Sequence, residues 1–356
     1  MENLKIIRRE VLKEKPDQKH LGFGKYFTDH MFTMDYTEGK GWHDPMIVPY
    51  GPIELEPSAM VLHYGLESFE GMKAYRAKDG RILIYRPEKN AERLINTHRR
   101  LCMPEIPVDL FVDAVNAIVS YERDWVPSEP ETSLYIRPFC IATEAALGVH
   151  PAHSYKFMII VCPVGAYYPE GMSPVKIYVE DEYVRAVKGG LGFTKTGGNY
   201  AASVKSQLKA QQLGYTQVLW LDGVHRKYID EVGTMNVFFR IGDEILTAPL
   251  DDGTILPGVT RDAVINLLKD WGYKVTERRF TIDELMEASD KGTLVEAFGT
   301  GTAAVISPIG ELNYQGKIAV INDFKTAPLT QKLYDTLTAI QWGDAEDKFG
   351  WVHEVK

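Results

Sequence analysis

The chain has 356 residues, of which 45% are hydrophobic and 25% are charged, and these ordinary values predict a folded protein rather than a disordered one. Two domains are expected at this length, because single hydrophobic cores stop growing at about 250–300 residues. The formal net charge of -9 and the lack of a lysine- or arginine-rich block argue against nucleic acid as a partner.

The first residues and the apolar runs predict where the protein resides. The opening sequence MENLKIIRRE lacks the apolar core of a signal peptide. The longest apolar run, residues 157–168, is interrupted by Pro163 and Gly165 and is shorter than the roughly 18–20 residues that cross a bilayer. We therefore predict a soluble, cytoplasmic protein that does not enter a membrane.

The cysteines and histidines do not predict a metal site. Cys102, Cys140 and Cys162 are odd in number and widely spaced, so we expect small buried residues rather than disulfides or zinc ligands. His150 and His153 are close in sequence, but no carboxylate-histidine or cysteine-histidine cluster with metal-ligand spacing follows them. No metal is expected.

The first half of the chain is predicted to be a hairpin-rich α+β domain. Aromatic residues alternate after Phe23 in a pattern typical of a strand pair, and a hairpin is predicted at residues 78–80. Helices are predicted from Pro87 onward and over residues 110–125. Two further strands are predicted at SLYIRPFCIAT and YKFMIIVCP. The domains are then predicted at 1–163 and 175–356, joined by a linker at 164–174 that is rich in proline and glycine.

The second half is predicted to alternate strands with a few helices. A strand leads into the glycine-rich loop GGLGFTKTGGNYAAS, residues 189–203, and a helix is predicted over residues 201–213. The later elements are strands at QVLWLD (217–222), YIDEVGTMNVFFRIGD (228–243) and EILTAP (244–249), then a helix in 256–272 and a strand at KVTERRF. A helix at TIDELMEAS, one strand at TLVEAFGTGTAAVISPIGEL and a C-terminal helix around 331–341 complete the chain.

Lys195, in the glycine-rich loop, is the first candidate for a catalytic group. Ordered glycines cost backbone entropy, so glycines on both sides of one cation indicate that a bulky group approaches the backbone there. Desolvation by such a group lowers the pKa of a lysine and frees its amine to act as nucleophile or base, as in Schiff-base lysines. The structural alternative is a solvated lysine on a surface turn.

Three segments with glycine and threonine lie downstream of this loop: DEVGTMN (230–236), LPGVTR (256–261) and FGTGTAA (298–304). The last satisfies the G-x-G-x-x-A dinucleotide fingerprint, but Pro308, Gly310 and Gly316 leave no room for the helix that a Rossmann fold needs. Backbone N–H groups in the last two segments can instead cradle a phosphate.

Pyridoxal 5'-phosphate is a phosphorylated cofactor that binds through a lysine, and its requirements match these segments. Its electron-sink chemistry needs a protonated ring nitrogen, which a buried carboxylate stabilises. Glu231, in the first of the three segments, is the candidate for that carboxylate.

Several motifs in this order and spacing resemble the branched-chain amino acid aminotransferases, which are fold-type IV pyridoxal-phosphate enzymes. The motifs are YGLESFEGMKAY, SLYIRP, CPVGAYYPEG, TKTGGNYAAS, YIDEVGTMNVF, LPGVTRDAV and FGTGTAAV. The resemblance runs from about Phe23 to the C-terminus. It implies the two-domain α+β fold of D-amino acid aminotransferase, with a smaller α/β N-terminal domain, a larger β-rich C-terminal domain and the cofactor between them. It also implies at least a homodimer.

The resemblance implies a catalytic and cofactor-binding set. Lys195 matches the lysine that binds the cofactor and moves the substrate proton, Glu231 the partner of the ring nitrogen, and Tyr200 the phenol that hydrogen-bonds the 3'-oxygen. Arg93 matches a phosphate-binding arginine. The phosphate cup matches Val259, Thr260 and Thr302, and the cofactor-binding set also includes Thr234, Leu256 and Gly258.

For the substrate, the resemblance implies three kinds of contact. Backbone donors at Thr302 and Ala303 would bind the substrate carboxylate, and Arg137 would accept the distal carboxylate of glutamate. An apolar and aromatic wall would suit the side chains of Leu, Ile and Val: Phe23, Tyr64, Phe69, Tyr135, Val149 and Tyr167. For Phe69 and Tyr64, a place in the hydrophobic core is the structural alternative.

The predicted activity is the exchange of an amino group between Leu, Ile or Val and 2-oxoglutarate by a ping-pong route, with amino acids and 2-oxo acids as partners. The alternatives within the fold are a D-amino acid aminotransferase and an aminodeoxychorismate lyase, which EVGTMN and the aromatic-rich first domain disfavour. A non-catalytic pyridoxal-phosphate carrier and a nucleotide-binding dehydrogenase also remain open. Only GTGTAA favours the dehydrogenase.

Overall fold

Residues 1, 3–166 and 171–356 are described by the computed structural model, and they divide into two units. The first contains the described residues up to 166 together with Thr194–Gly197 and Ala339–Lys356; the second contains the described residues from 171 to Phe193 and Gly198–Thr338. Both units are therefore discontinuous in sequence. The predicted domains, 1–163 and 175–356, are each continuous in sequence, and they stay predictions together with the linker at 164–174. Residues 167–170 of this linker lie outside the described residues.

The described residues of the first unit form one sheet of nine strands. The strands are β1 (Lys5–Ile6), β2 (His30–Thr37), β3 (Gly41–Pro49), β4 (Glu67–Phe69), β5 (Met72–Arg76), β6 (Ile82–Tyr85), β7 (Ser133–Ala142), β8 (Ser154–Val164) and, from the end of the chain, β18 (Val352–Glu354). Their order is β1-β3-β2-β8-β7-β5-β6-β18, with β4 beside β7. The predicted hairpin joins β5 to β6, and the Asp79 carboxylate accepts the N–H of Arg81 in its turn at 3.1 Å.

Three helices accompany this sheet: α1 (Met60–Tyr64), α2 (Pro87–Leu101) and α3 (Val108–Tyr121). Proline at the first turn of α2 suits the helix start, because that N–H would lack an intrahelical partner in any case. Ala91 and Leu94 on α2 are buried at helical spacing, in one core with Phe111 of α3 and Phe157 of β8. The predicted helices are confirmed in the positions that the apolar spacing indicated.

The expectation of three buried cysteines is wrong for Cys102, which is exposed. This residue ends α2 in a left-handed conformation with φ of 54°, outside the apolar stripe that faces the core. Cys140 and Cys162 are buried, and burial raises the pKa of the Cys162 thiol to about 11.

The second unit is also built on a nine-stranded sheet within the described residues. Its strands are β9 (Val175–Glu180), β10 (Gln217–Leu221), β11 (Ile229–Val232), β12 (Asn236–Ile241), β13 (Glu244–Thr247), β14 (Lys274–Glu277), β15 (Leu294–Gly301), β16 (Val305–Tyr314) and β17 (Lys317–Val320). The order is β11-β10-β9-β16-β15-β12-β13-β14, with β17 beside β16. The remaining helices are α4 (Gly197–Ala201), α5 (Val204–Gln212), α6 (Val259–Asp270), α7 (Ile282–Asp290) and α8 (Pro328–Gln341).

The single strand predicted over residues 293–312 is wrong, because the chain turns at residues 302–304 and forms the antiparallel hairpin of β15 and β16. The turn sequence Thr-Ala-Ala contains none of the residues that usually form turns, so the local sequence does not predict this turn. The exclusion of a Rossmann fold is confirmed here, since a strand and not a helix follows GTGTAA. No helix in the described part of the chain is long and apolar enough to cross a membrane.

Candidate active site

The backbone around Lys195 is fixed by hydrogen bonds within the first unit. The Lys195 N–H donates to Oγ1 of Thr97 on α2 at 3.0 Å, and the Lys195 carbonyl accepts the N–H of Phe69 on β4 at 3.0 Å. The hydroxyl of Thr196 donates to the carbonyl of Glu67 at 2.8 Å. A lysine whose backbone is held on both sides starts from a defined position, which a reactive amine requires.

Aromatic and cationic side chains meet around Phe69. The Lys195 amine lies 4.8 Å from the centroid of the Phe69 ring, and the Arg137 guanidinium carbon lies 4.7 Å from it. Arg137 donates a hydrogen bond to the Tyr135 hydroxyl at 3.0 Å, and Phe23 packs edge-on against the Tyr135 ring with 5.0 Å between centroids. The first unit thus brings Lys195 together with four of the side chains predicted to contact substrate.

Other predicted wall residues are placed differently. Tyr64 and Val149 are exposed, with 40% and 84% of their surface accessible. Tyr167 lies outside the described residues. Their assignment to the substrate wall stays a prediction.

Arg93 is buried on α2 and forms a two-point ion pair with Glu70. Its Nε and Nη2 donate to the two carboxylate oxygens at 2.8 and 2.7 Å, and Glu70 is fully buried. Parallel hydrogen bonds of this kind fix the plane of a guanidinium. The geometry orients Arg93 rigidly, while its predicted phosphate contact stays a prediction.

Glu231 is a buried carboxylate on β11 in the second unit. Its Oε1 accepts the N–H of Leu256 at 2.7 Å and an amide hydrogen of Asn236 at 3.5 Å, while its Oε2 pairs with Nε of Arg185 at 3.0 Å. A cation and N–H donors are the contacts that stabilise an ionised carboxylate away from water. Only 2% of Glu231 is exposed.

The start of α6 offers backbone donors. Gly258 is the N-cap residue and provides no side-chain cap, and Val259 and Thr260 begin the helix. The N–H groups of a first helical turn have no acceptor within the helix and bind anions well. A side chain at position 258 would collide with the Asn236 amide, so the close approach requires glycine. The hairpin turn that carries Thr302 and Ala303 follows β15.

One recess in the second unit joins predicted and unpredicted residues. It is lined by Arg185, Asn199, Tyr200, Ser203, Glu231, Gly233 and Thr234. Tyr200, Glu231 and Thr234 were predicted from the sequence. Asn199 steadies the loop by donating to the carbonyl of Leu191 at 2.8 Å.

The class IV amino-transferase family model matches residues 67–312, more than half of the chain. The chain belongs to the class IV aminotransferases. Its sequence is 54% identical over 355 residues to branched-chain-amino-acid transaminase 1 of Bacillus subtilis, covering 99% of each chain. It is 56% identical over 349 residues to a probable branched-chain-amino-acid aminotransferase of Staphylococcus aureus, covering 98% of this chain and 97% of that one.

Solved structures of class IV aminotransferases have the same fold. The branched-chain amino acid aminotransferase of Escherichia coli superposes with a TM-score of 0.76 at 25% identity and covers 91% of this chain and 99% of that one. The branched-chain aminotransferase of Thermoproteus uzoniensis, solved with norvaline, has a TM-score of 0.76 at 25% identity, with 92% and 100% covered. The predicted family and the predicted fold-type IV architecture are confirmed.

The residues of this aminotransferase fit the pyridoxal 5'-phosphate that its family uses. The second unit alone contains a buried carboxylate for a ring nitrogen, a phenol in the same recess and a helix start for a phosphate. These are the donors and acceptors that the cofactor needs. The cofactor prediction is confirmed by family membership, and the individual contacts remain predictions.

Arg185, Asn199 and Asn236 were missed by sequence reasoning. Arg185 lies in a stretch without a motif, and only tertiary contact shows that it pairs with Glu231. Asn236 is the last residue of the segment DEVGTMN, so its proximity to Glu231 could have been inferred from a tight turn between β11 and β12.

Asp230, next to Glu231 in β11, is a second buried carboxyl in this aminotransferase. It is 6% exposed, and its Oδ2 has no hydrogen-bond partner among the described residues. Burial and the charges of Glu231 and Asp222 raise the pKa of Asp230 to about 7, against the opposing effect of Arg185 and Arg279.

Asp230→Asn is expected to stabilise the aminotransferase increasingly as the pH rises. Because its folded-state pKa lies above the unfolded value of 3.8, the stability that protonated Asp230 contributes is complete below pH 4 and is lost as the pH rises through 7. Asparagine imitates the neutral form at every pH, so its advantage should grow by about 4 kcal/mol between pH 4 and pH 8. Urea unfolding of both proteins across this range measures the difference.

Asp222→Asn is the matched control. Burial alone would raise the pKa of Asp222, but backbone hydrogen bonds, including those from His225 and Tyr228, outweigh burial and lower it. The stability that ionised Asp222 contributes is complete above its unfolded pKa, so the control should be less stable than wild type by an amount that stays nearly constant between pH 5 and pH 8. A difference between wild type and Asp230→Asn that does not change with pH would contradict the prediction.

A carboxylate does accompany His150 and His153, because Glu144 precedes them in the chain. One ligand atom from each of the three lies within 4.8 Å of the others. The N–H of His153 donates to Glu144 at 2.6 Å, and Glu144 and Glu38 raise the pKa of His153. We assign no metal here, because these hydrogen bonds account for the arrangement.

Proposed function

We propose that this aminotransferase exchanges the amino group between L-leucine, L-isoleucine or L-valine and 2-oxoglutarate by a ping-pong route. The observation that supports it best is the group around Phe69, where an aromatic surface carries a guanidinium beside the Lys195 amine. Such a surface suits a branched apolar side chain and an anionic one in turn. The relatives named above are branched-chain enzymes that match nearly the whole chain.

Lys195 and Glu231 would perform the two central tasks of the reaction. Pyridoxal 5'-phosphate, when bound, supplies an aldehyde for the amino group and a ring that takes up electrons. The Lys195 amine would bind the cofactor and carry the proton that leaves the substrate Cα. Glu231, with its charge held by Arg185, would keep a proton on the ring nitrogen. Tyr200 would donate a hydrogen bond to the 3'-oxygen.

The remaining predicted residues would bind the anionic groups. Arg93 and the start of α6 at Val259 and Thr260 would hold the phosphate, as a guanidinium and a helix N-terminus favour. Backbone N–H groups at Thr302 and Ala303 would hold the substrate carboxylate. Thr234, Leu256 and Gly258 would complete the cofactor contacts.

Arg137 would let one pocket accept two unlike side chains. Burying a leucine side chain contributes about 1.5–3 kcal/mol, but burying the distal carboxylate of glutamate is unfavourable unless a cation meets it. The Arg137 Nε is buried and has no hydrogen-bond partner among the described residues, while Nη2 is held by the Tyr135 hydroxyl. The guanidinium is thus positioned and retains donor capacity.

Arg137→Ala is expected to raise KM for glutamate and 2-oxoglutarate by about 100-fold or more, and KM for leucine and its 2-oxo acid only a few-fold. The reason is that the loss of a charged hydrogen-bond partner is worth about 3 kcal/mol, which corresponds to this factor. Arg137→Lys should restore part of the loss, because an ammonium group cannot form two parallel hydrogen bonds. Half-reactions with each substrate separate the effects. Equal weakening of both substrates would show that Arg137 supports the pocket rather than binding the carboxylate.

We also propose that the aminotransferase works as a homodimer in the cytoplasm. Leu62, Tyr64, Leu147 and Val149 expose large apolar side chains on the first unit, and a second copy of the chain would cover them. The bacterial relatives support the compartment. Sedimentation of wild type and Val149→Glu tests the assembly: the variant should shift toward monomer, and an unchanged sedimentation coefficient would place the interface elsewhere.

A further inference from the structure

Glu67 contacts the residues that directly follow Lys195. Its carboxylate Oε1 accepts the backbone N–H of Gly197 and, at 3.2 Å, the hydroxyl of Thr196. The Glu67 carbonyl accepts the same hydroxyl at 2.8 Å. One side chain therefore holds two consecutive residues of the lysine loop, and it does so from β4, the strand that also carries Phe69.

The Glu67 carboxylate lies close to Gly197. A Cβ at position 197 would lie 2.6 Å from Oε1 of Glu67, so a side chain there would require the carboxylate to move away from the loop. The segment Thr194–Gly197 packs with the first unit, while the chain on either side of it belongs to the second. Glu67 holds the end of this short segment, where the chain leaves the first unit.

The hydrogen bonds of Glu67 complete the set around Lys195. The Lys195 N–H is held by Thr97 and the Lys195 carbonyl by the N–H of Phe69, so the backbone of the lysine itself is fixed on both sides. Glu67 holds the two residues that follow, and without its carboxylate the N–H of Gly197 would lose this acceptor, while the hydroxyl of Thr196 would keep its hydrogen bond to the carbonyl of residue 67. Hydrogen bonds to a carboxylate are stronger than those between neutral groups, so this side chain provides the firmer hold.

We propose that Glu67 is a positioning residue for Lys195, fixing Thr196 and Gly197 and thereby the point from which the Lys195 amine acts. The proposal rests on the proposed role of Lys195. A displacement of about 1 Å in a reacting group can slow an enzyme by about 100-fold. Loss of the carboxylate contacts is therefore expected to slow catalysis, with little change in how either substrate binds.

Glu67 could also act through its charge, because Arg137 is close enough to affect its pKa. Burial raises the pKa of Glu67, while the hydrogen bonds from Gly197 and Thr196 and the charge of Arg137 act in the opposite direction. If the charge of Glu67 mattered mainly through Arg137, the negative charge would be essential. If position matters, an acceptor oxygen at the same reach suffices.

Two variants of the full-length holoenzyme separate reach from charge. Glu67→Gln keeps the Oε1 acceptor at the same reach and removes the charge, so its half-reaction rates should lie within about 3-fold of wild type. Glu67→Asp keeps the charge but is one methylene shorter, so it should slow both half-reactions by about 10- to 100-fold with KM nearly unchanged. Glu67→Ala should resemble Glu67→Asp, and the Asp–Gln comparison decides even if the alanine variant does not fold.

Hydrogen–deuterium exchange of the Gly197 amide provides a readout that does not depend on cofactor or activity. Exchange should be faster in Glu67→Asp than in wild type and unchanged in Glu67→Gln, because only the first loses the acceptor. Glu122→Ala is the matched control, since Glu122 is a buried carboxylate of the same unit that accepts the N–H of Asp29 at 3.3 Å and pairs with His30. It should reduce stability without altering exchange at Gly197.

Two results would overturn the proposal. One is a Glu67→Asp enzyme with wild-type half-reaction rates and wild-type exchange at Gly197. The other is a Glu67→Gln enzyme as slow as Glu67→Asp, which would show that charge is what counts. Failure of the proposed function is recognised separately: a Lys195→Ala variant with normal turnover would remove the role of Lys195, whatever the Glu67 variants do.

Discussion

Lys195→Ala is expected to abolish turnover while the protein stays folded and still binds pyridoxal 5'-phosphate through its phosphate. One amine is proposed to bind the cofactor and to move the substrate proton, so alanine removes both tasks at once. Removal of a nucleophile of this kind typically lowers kcat by about 10⁴-fold or more. Single-turnover rates with leucine, together with cofactor content measured after desalting, provide the test.

Lys188→Ala is the matched control for this variant. Lys188 precedes the same glycine-rich loop, is exposed and pairs with Asp252 at 3.0 Å. A surface ion pair contributes little, so activity and stability should stay close to wild type. Activity of Lys195→Ala within about 10-fold of wild type would disprove the proposed role of the amine.

Glu231→Gln is expected to lower kcat by about 100- to 1,000-fold with a modest change in cofactor occupancy. Glutamine keeps the shape and still accepts the N–H of Leu256, but it lacks the charge that keeps a proton on the ring nitrogen. Stopped-flow measurement of the first half-reaction isolates the chemical step.

Glu296→Gln serves as control for the loss of a buried ion pair. Glu296 is 3% exposed and pairs with Arg240 at 3.0 Å in the same unit. Breaking this pair should destabilise the protein by a few kcal/mol and leave kcat nearly unchanged. If Glu231→Gln behaves like this control, another carboxylate holds the ring nitrogen, and Asp230 is its neighbour in sequence.

The sequence predicted correctly those helices and hairpins that are determined by residues close together in the chain. The apolar spacing after Pro87 predicted α2, and the turn residues at 78–80 predicted the β5–β6 hairpin. The β15–β16 hairpin was not predicted, because its turn is imposed by the pairing of the two strands and not by turn residues. The same limit explains the joining of β18 to β6, since strand pairing across the length of the chain leaves no local pattern.

The candidate site shows the same division. Lys195, Tyr200 and Glu231 lie in dense motifs and were predicted by residue type, spacing and resemblance. Arg185 lies outside every quoted motif. Glu67 lies within the motif YGLESFEGMKAY, but the relevance of both residues comes from contacts with distant residues. A single charged residue has too many possible partners for its neighbours in sequence to select one.

The pairing of β18 with β6 has a consequence during synthesis. A ribosome makes Val352–Glu354 only after about 270 further residues have followed Tyr85, which takes tens of seconds at about 5–20 residues per second. During that interval β6 is an uncovered sheet edge that another nascent chain can pair with. Trp351, which packs against Tyr85 with 5.9 Å between ring centroids, arrives with the same last segment. Nascent chains stalled before Trp351 should therefore depend more on chaperones, and aggregate more readily, than chains that already include β18.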